Sequence, residues 1–191
     1  MNKTALFIAL FYLVFSLYLY IAEGIMFIEF IVYIILILAG FSLVQKKKVS
    51  TKAVIFLGMS ILWHFAGLLP ISYEGRVSTL YDSSFILPHY DLIGHTLGFL
   101  FLTLAVLIHF KPNFKNLPVA FLSLMGIGAL IEIFEYSGFL IFGIGKGWLA
   151  LGPGDYGLNL SLWIDTMTDM ISNMTGILFG LLSHNLFRKF F

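Results

Sequence analysis

Six long stretches of the chain carry almost no charge, and that alone removes most of the folds open to it. They run over residues 4–22, 25–44, 52–70, 91–110, 117–142 and 162–187. Each reaches or exceeds the 17 to 25 residues or so that a helix needs to cross about 30 Å of hydrocarbon. Lipid offers no partner to a backbone N–H or C=O, so such a stretch must satisfy its own backbone and be helical. Charged residues make up 11% of the 191 residues, against about a quarter in soluble domains. The expected fold is all-α: a polytopic integral membrane protein of about six transmembrane helices. Residues 1–191 form a single transmembrane domain with no internal repeat and no soluble part. Residues 1–50 supply two packing helices, and 51–191 supply four more.

Lysine and arginine orient these spans. Lys3, Lys46, Lys47, Lys48, Lys52, Lys111, Lys115, Arg188 and Lys189 fall on one side, leaving Arg76 and Lys146 on the other. By the positive-inside rule both termini are cytoplasmic, in a multi-pass protein of the cell membrane. The lysine triplet is then a topology signal, and His109 and His184 are interfacial. The apolar run behind Lys3 exceeds the usual signal-peptide core of about 7 to 15 residues and lacks a small-x-small cleavage site, so it is read as a retained span. A formal net charge of +1 gives no basic face for nucleic acid. The absence of cysteine excludes disulfide and thiolate chemistry.

The first two spans have no ionisable residue in their middles; Glu23 and Glu29 lie at the turn between them. Tyr12, Tyr18, Tyr20 and Tyr33 are read there as interface anchors and packing. The other four spans differ. His64 lies on the third, Asp91 and His95 on the fourth, Glu132 and Glu135 on the fifth, Asp165 and Asp169 on the sixth. At about 1.5 Å per residue from the outer helix ends, His64, His95, Glu132, Glu135, Asp165 and Asp169 lie roughly 5 to 15 Å deep, one layer in the outer half of the bilayer, with Asp91 at the start of its span.

That layer requires compensation. An acid deep in a span costs about 2.5 to 3.5 kcal/mol on insertion scales, so four isolated ones would cost about 10 to 14 kcal/mol. A domain's whole stability is about 5 to 15 kcal/mol. No lysine or arginine lies within a span, so the sequence leaves shared protons, a metal cation, a cationic substrate or a watery vestibule. The sixth span shows how such groups converge. Asp165, Asp169, Asn173, Gly176 and Gly180 recur in steps of four, four, three and four, which keeps them on one helix stripe. Gly94 with Gly98, and Gly176 with Gly180, are small-xxx-small pairs that let backbones approach.

Glu-x-x-Glu on one helix, Asp-x-x-x-Asp on another and a histidine from a third make a plausible shell for one or two divalent cations. The candidate metal ligands are His95, Glu132, Glu135, Asp165 and Asp169, with His64 and Asp91 as further candidates. The candidate catalytic residues are Glu132, Glu135, Asp169 and Asn173. Plainer roles exist for each piece. A lone intramembrane acid can be a protonated helix-pairing group, and Asn173 can serve only to join helices. Asp91 and Asp165 can be N-caps, and His64 a satisfied polar contact. Lys146 and Asp155, in the glycine-rich stretch, can be solvated or part of a re-entrant lid.

Tyr90 to His95 with Gly98, then Glu132-x-x-Glu135-Tyr136, then Gly154-Asp155, then Trp163-x-Asp165-x-x-x-Asp169-Met170, resembles the YjdF-like bacterial inner-membrane proteins. More distantly, Asp-x-x-x-His, Glu-x-x-polar and Asp169-x-x-x-Asn173-x-x-Gly176 is similar to the VanZ-like pattern. The resemblance covers about residues 88 to 181 and leaves the first two spans unmatched. Leu92 stands where YjdF-like chains often have a second histidine and VanZ-like ones a lysine, and Glu135 replaces the VanZ-type glutamine. Membership implies a multi-spanning protein with a shared polar core.

Three functions fit. The first is an outward-facing site, dependent on a divalent metal ion, that acts on a lipid-linked or envelope small molecule within the lipid bilayer. The second is a proton- or cation-coupled transporter using the same carboxylates. The third is a structural membrane protein whose polar layer only pairs helices.

Overall fold

The computed structural model of the chain describes residues 2–23, 27–73, 76–79, 90–142 and 162–187. Six α-helices dominate: α1 Lys3–Tyr18, α2 Phe27–Lys46, α3 Thr51–Gly67, α4 Tyr90–Phe110, α5 Leu117–Phe142 and α6 Leu162–Phe187. A π-helical turn, Leu19–Glu23, prolongs α1, and a 3-10 turn, Phe114–Asn116, leads into α5. These bounds follow the apolar runs to within a few residues, because self-contained backbone bonding and helix capping act on the same stretches. Among the described residues, Lys3–Ile21, Tyr90–Phe110 and Phe114–Ser137 are long and apolar enough to cross a membrane, while Phe30–Lys46 and Thr51–Gly67 are shorter apolar helices. Large apolar side chains such as Val14, Leu122, Leu130 and Ile133 point outward, each more than 60% exposed. That is a liability in water and normal against lipid.

Helix starts and stops are written locally. Asn2 and Ser50 cap α1 and α3, their side chains accepting from the backbone N–H of Ala5 and Ala53, which satisfies an orphan donor at each start. The chain leaves α2 through Lys48 at φ 50°. The N–H of Val49 reaches back to the Val44 carbonyl and that of Lys48 to Gln45, a Schellman closure. Asn2 also donates its amide to the Val49 carbonyl at 3.2 Å and takes Gln45 Oε1 on its own N–H at 2.9 Å. The start of α1 is thereby tied to the end of α2.

One element departs from an all-helical reading of the chain. Pro70–Tyr73 and Arg76–Thr79 pair as an antiparallel hairpin with Ile71 opposite Ser78 and Ser72 opposite Val77. The hairpin starts where the third apolar run ends, in the polar stretch that follows α3. Ile71, Tyr73, Val77 and Thr79 are β-branched or aromatic residues at alternate positions, which is what a short strand pair favours. The glycine-rich stretch with Lys146 and Asp155 lies outside the described residues, as do Arg188 and Lys189.

α4 is the central helix, packed against α3 on one side and α6 on the other; α5 leans on α6, and α1 joins α2 and α3. Gly176 sets the α4–α6 spacing. A methyl group there would run into the carbonyl oxygen of Thr96 and lie 3.0 Å from the Leu100 nitrogen. Backbone therefore meets backbone, as the small-xxx-small spacing predicts. Phe99, Leu124 and Ile177 fill the joint between α4, α5 and α6. Tyr12, Leu19, Tyr33, Phe65 and Leu68 fill the joint of the first three helices, where the Tyr12 hydroxyl donates to the Gly58 carbonyl at 2.5 Å.

Candidate functional site

Close contact of α4 and α6 brings their polar stripes face to face, with α5 beside them. Asp91, Glu132, Glu135, Asp165, Asp169 and Asn173 are all buried, Asp169 and Asn173 completely. The polar layer expected from the sequence is thus one cluster in the helix core rather than acids scattered toward lipid. Neither Asp91 nor Asp165 is an N-cap, because α4 begins at Tyr90 and α6 at Leu162. Both lie in the first turn, where the helix dipole still favours a carboxylate.

His95 is the hub. Its Nδ1 lies 2.9 Å from Asn173 Oδ1 and 3.6 Å from Glu132 Oε1, and its Nε2 lies 3.5 Å from Asp91 Oδ1. The Asn173 amide nitrogen donates to Glu132 Oε1 at 3.4 Å. A carboxylate accepts, so the amide nitrogen must face Glu132 and the amide oxygen must face His95. An oxygen at 2.9 Å from Nδ1 requires the proton on Nδ1. Nε2 is the ring nitrogen turned toward Asp91. This chain of carboxylate, amide and imidazole is how proteins fix the tautomer of a metal-binding histidine.

Two overlapping sets of ligand atoms follow, each within 4.8 Å of one another: Asp91, His95 and Asp169, and His95, Glu132 and Glu135. The tautomer separates them. The second set would use Nδ1, the nitrogen already bonded to Asn173, whereas the first would use Nε2, the nitrogen that faces Asp91. Both oxygens of Asp169 are buried without a hydrogen-bond partner among the described residues, a costly state for a carboxylate. Two ligands of one ion, each bound at about 2.1 Å, stand about 3.4 Å apart in a tetrahedral shell. The 3.5 Å between His95 Nε2 and Asp91 Oδ1 matches that separation. Oxygen and imidazole donors of this kind suit zinc, manganese or iron.

The remaining sequence candidates are placed differently. Asp165 is buried one turn before Asp169 and belongs to neither set. His64 also stands apart from both, its Nε2 3.2 Å from the Tyr33 hydroxyl. It does reach the same space. A cavity of about 450 Å³ lies between α2, α3, α4 and α5, and His64, Tyr33, Asp91, His95 and Glu135 all line it. Tyr33 was read from the sequence as packing, and buried it is, but it also makes α2 part of the cavity wall. Tyr90, which opens the Tyr90 to His95 motif, donates its hydroxyl to the Trp63 carbonyl at 2.7 Å and clamps the start of α4 onto α3. Gly128 passes so close to Asn173 that an added methyl would sit 3.1 Å from its amide nitrogen. A glycine one turn before Glu132 was the available signal for that approach.

A family of predicted membrane proteins, DUF2238, matches residues 4–189. The chain belongs to this family. The match takes in α1 and α2, so the first two helices of this DUF2238 protein are family structure as well, beyond the 88–181 stretch that carried the resemblance. No curated protein and no solved structure matches the chain. Family membership makes the chain a membrane protein, and the cluster around His95 is where this member concentrates its buried charge.

Proposed function

We propose that this protein is an intramembrane enzyme whose divalent cation sits among Asp91, His95 and Asp169 and whose substrate is a lipid-linked or envelope molecule reached from the outer face. The carrying observation is Asp169, a buried acid without a hydrogen-bond partner among the described residues, beside a histidine whose Nε2 faces a second acid, Asp91. A cation bound there supplies Lewis acidity and lowers the pKa of a water beside it. Glu135 lines the cavity and would serve there as a base. Glu132 and Asn173 hold the imidazole in its tautomer. The order of acidic and histidine positions supports kinship with YjdF-like proteins and, at greater distance, VanZ-like ones. The lysine distribution supports cytoplasmic termini in the cell membrane.

Elemental analysis of the purified protein, paired with thermal unfolding with and without a chelator, tests the site. The expected result is about one divalent ion per chain and a lower Tm once it is removed, since a ligand that binds only the folded state stabilises it. Metal-free protein whose Tm ignores both chelator and added zinc or manganese would overturn the reading.

A further inference from the structure

The cavity beside the cluster has a shape and a position that narrow the substrate. Its polar end is formed by Asp91, His95 and Glu135, and apolar side chains, Phe65 and Phe99 among them, line the rest. Leu36 and Ile61 also line it, and they are 55% and 40% exposed, so the cavity reaches the outside of the bundle there. Leu36 lies near the middle of α2, and Ile61 is about 9 Å from the end of α3. In a spanning bundle that mouth faces hydrocarbon. A water-soluble molecule has no reason to enter from that side, whereas the chain of a membrane amphiphile is already there.

Charge selects the head group. Among the described residues no lysine or arginine lines the cavity. A divalent ion at Asp91 and Asp169 would offset those two acids, and among the described residues Glu132 and Glu135 share one imidazole, that of His95, so two acids still face one base at the cavity's polar end. An anionic head beside them would meet like charge, and a positive one would complete the balance. We infer that the cavity binds a bilayer amphiphile bearing an ammonium head group, with the ammonium at Glu135 and one hydrocarbon chain running out between Leu36 and Ile61. This rests on the reading of the cluster as a site for a bilayer substrate, and it names that substrate's class.

Three photoactivatable probes with the same mid-chain diazirine test it: a long-chain alkylamine, the matching alcohol and the matching alkyl phosphate, each added to the full-length protein in nanodiscs. The amine is expected to label the α2 and α3 segments around Leu36 and Ile61 about tenfold more than the alcohol or the phosphate. Glu135→Gln should bring the amine down to the level of the alcohol, and Ile61→Trp, which fills the mouth, should suppress labelling by the amine. Equal labelling by all three probes in the unaltered protein, or amine labelling indifferent to Ile61→Trp, overturns the inference even where Glu135→Gln fails to fold. Metal content is read separately, so an ion-free protein that still prefers the amine sinks the metal site and leaves the chamber standing.

Discussion

Oδ1 of Asn173 stands 2.9 Å from Nδ1 of His95, and this contact decides which nitrogen of the ring is free for a guest. Asn173 is held in turn by Glu132, so a residue on α5 sets the tautomer of a histidine on α4 through a side chain on α6. The amide donates to Glu132 on one side and accepts from the ring on the other, so the proton between His95 and Asn173 sits on Nδ1.

Asn173→Leu should therefore weaken metal binding without removing a ligand. Outer partners of ligating histidines are worth about 10- to 100-fold in metal affinity, and a loss in that range is expected from competition with a chromophoric chelator. Helix content by circular dichroism should stay unchanged. Unaltered affinity would show that the imidazole is oriented by something other than Asn173.

Asp169→Asn should abolish the response of stability to metal and leave the stripped protein nearly unchanged. In stripped protein the nearly isosteric amide occupies the same buried site, where neither oxygen of Asp169 has a hydrogen-bond partner among the described residues, and Tm should shift by no more than about 2 °C. The increment that metal gives to the natural protein should disappear in the variant. A polar layer that only pairs helices would show no such metal increment in either protein.

Much of this was written in the sequence. The helix bounds were legible because lipid forces each apolar run to close its own backbone, and α4 to α6 begin and end where polar and apolar residues change over. The gathering of Asp91, His95, Glu132, Glu135 and Asp169 was legible because all sat at one depth on helix stripes bearing glycine. What the sequence could not order was the ranking within the cluster. Asp91 and Asp165 look alike as acids one turn before a second polar group, yet only Asp91 falls in a ligand set, because the rotation of α4 against α6 is fixed by Gly176 meeting Thr96. Tyr33 was hidden for a similar reason: nothing in α2 marks which of its faces meets His64.

Gly176→Ala tests that contact directly. Its methyl would have to displace the backbone of α4 at Thr96 and Leu100, and overpacking of this kind costs about 1 to 3 kcal/mol. Gly126→Ala is the control, since nothing lies within 4 Å of the added carbon and alanine is the better helix former by about 1 kcal/mol. Thermal unfolding in one detergent should lower Tm for the first and leave it unchanged or raised for the second. Equal effects would mean that α4 and α6 are not held at backbone contact.

The His64–Tyr33 pair gives the last separation of roles. His64 touches the cavity but neither ligand set, and the hydroxyl of Tyr33 lies 3.2 Å from its Nε2. Tyr33→Phe deletes that bond while keeping the ring packed against Phe65, with centroids 5.4 Å apart, so a cost of about 0.5 to 1.5 kcal/mol is expected. His64→Gln keeps a polar group at the same wall. Both variants should bind metal with the stoichiometry and affinity of the natural protein, measured by the same chelator competition, because the ligands come from α4 and α6 alone. A loss of bound metal in His64→Gln would bring α3 into the coordination shell and move the ion from the α4–α6 interface into the cavity.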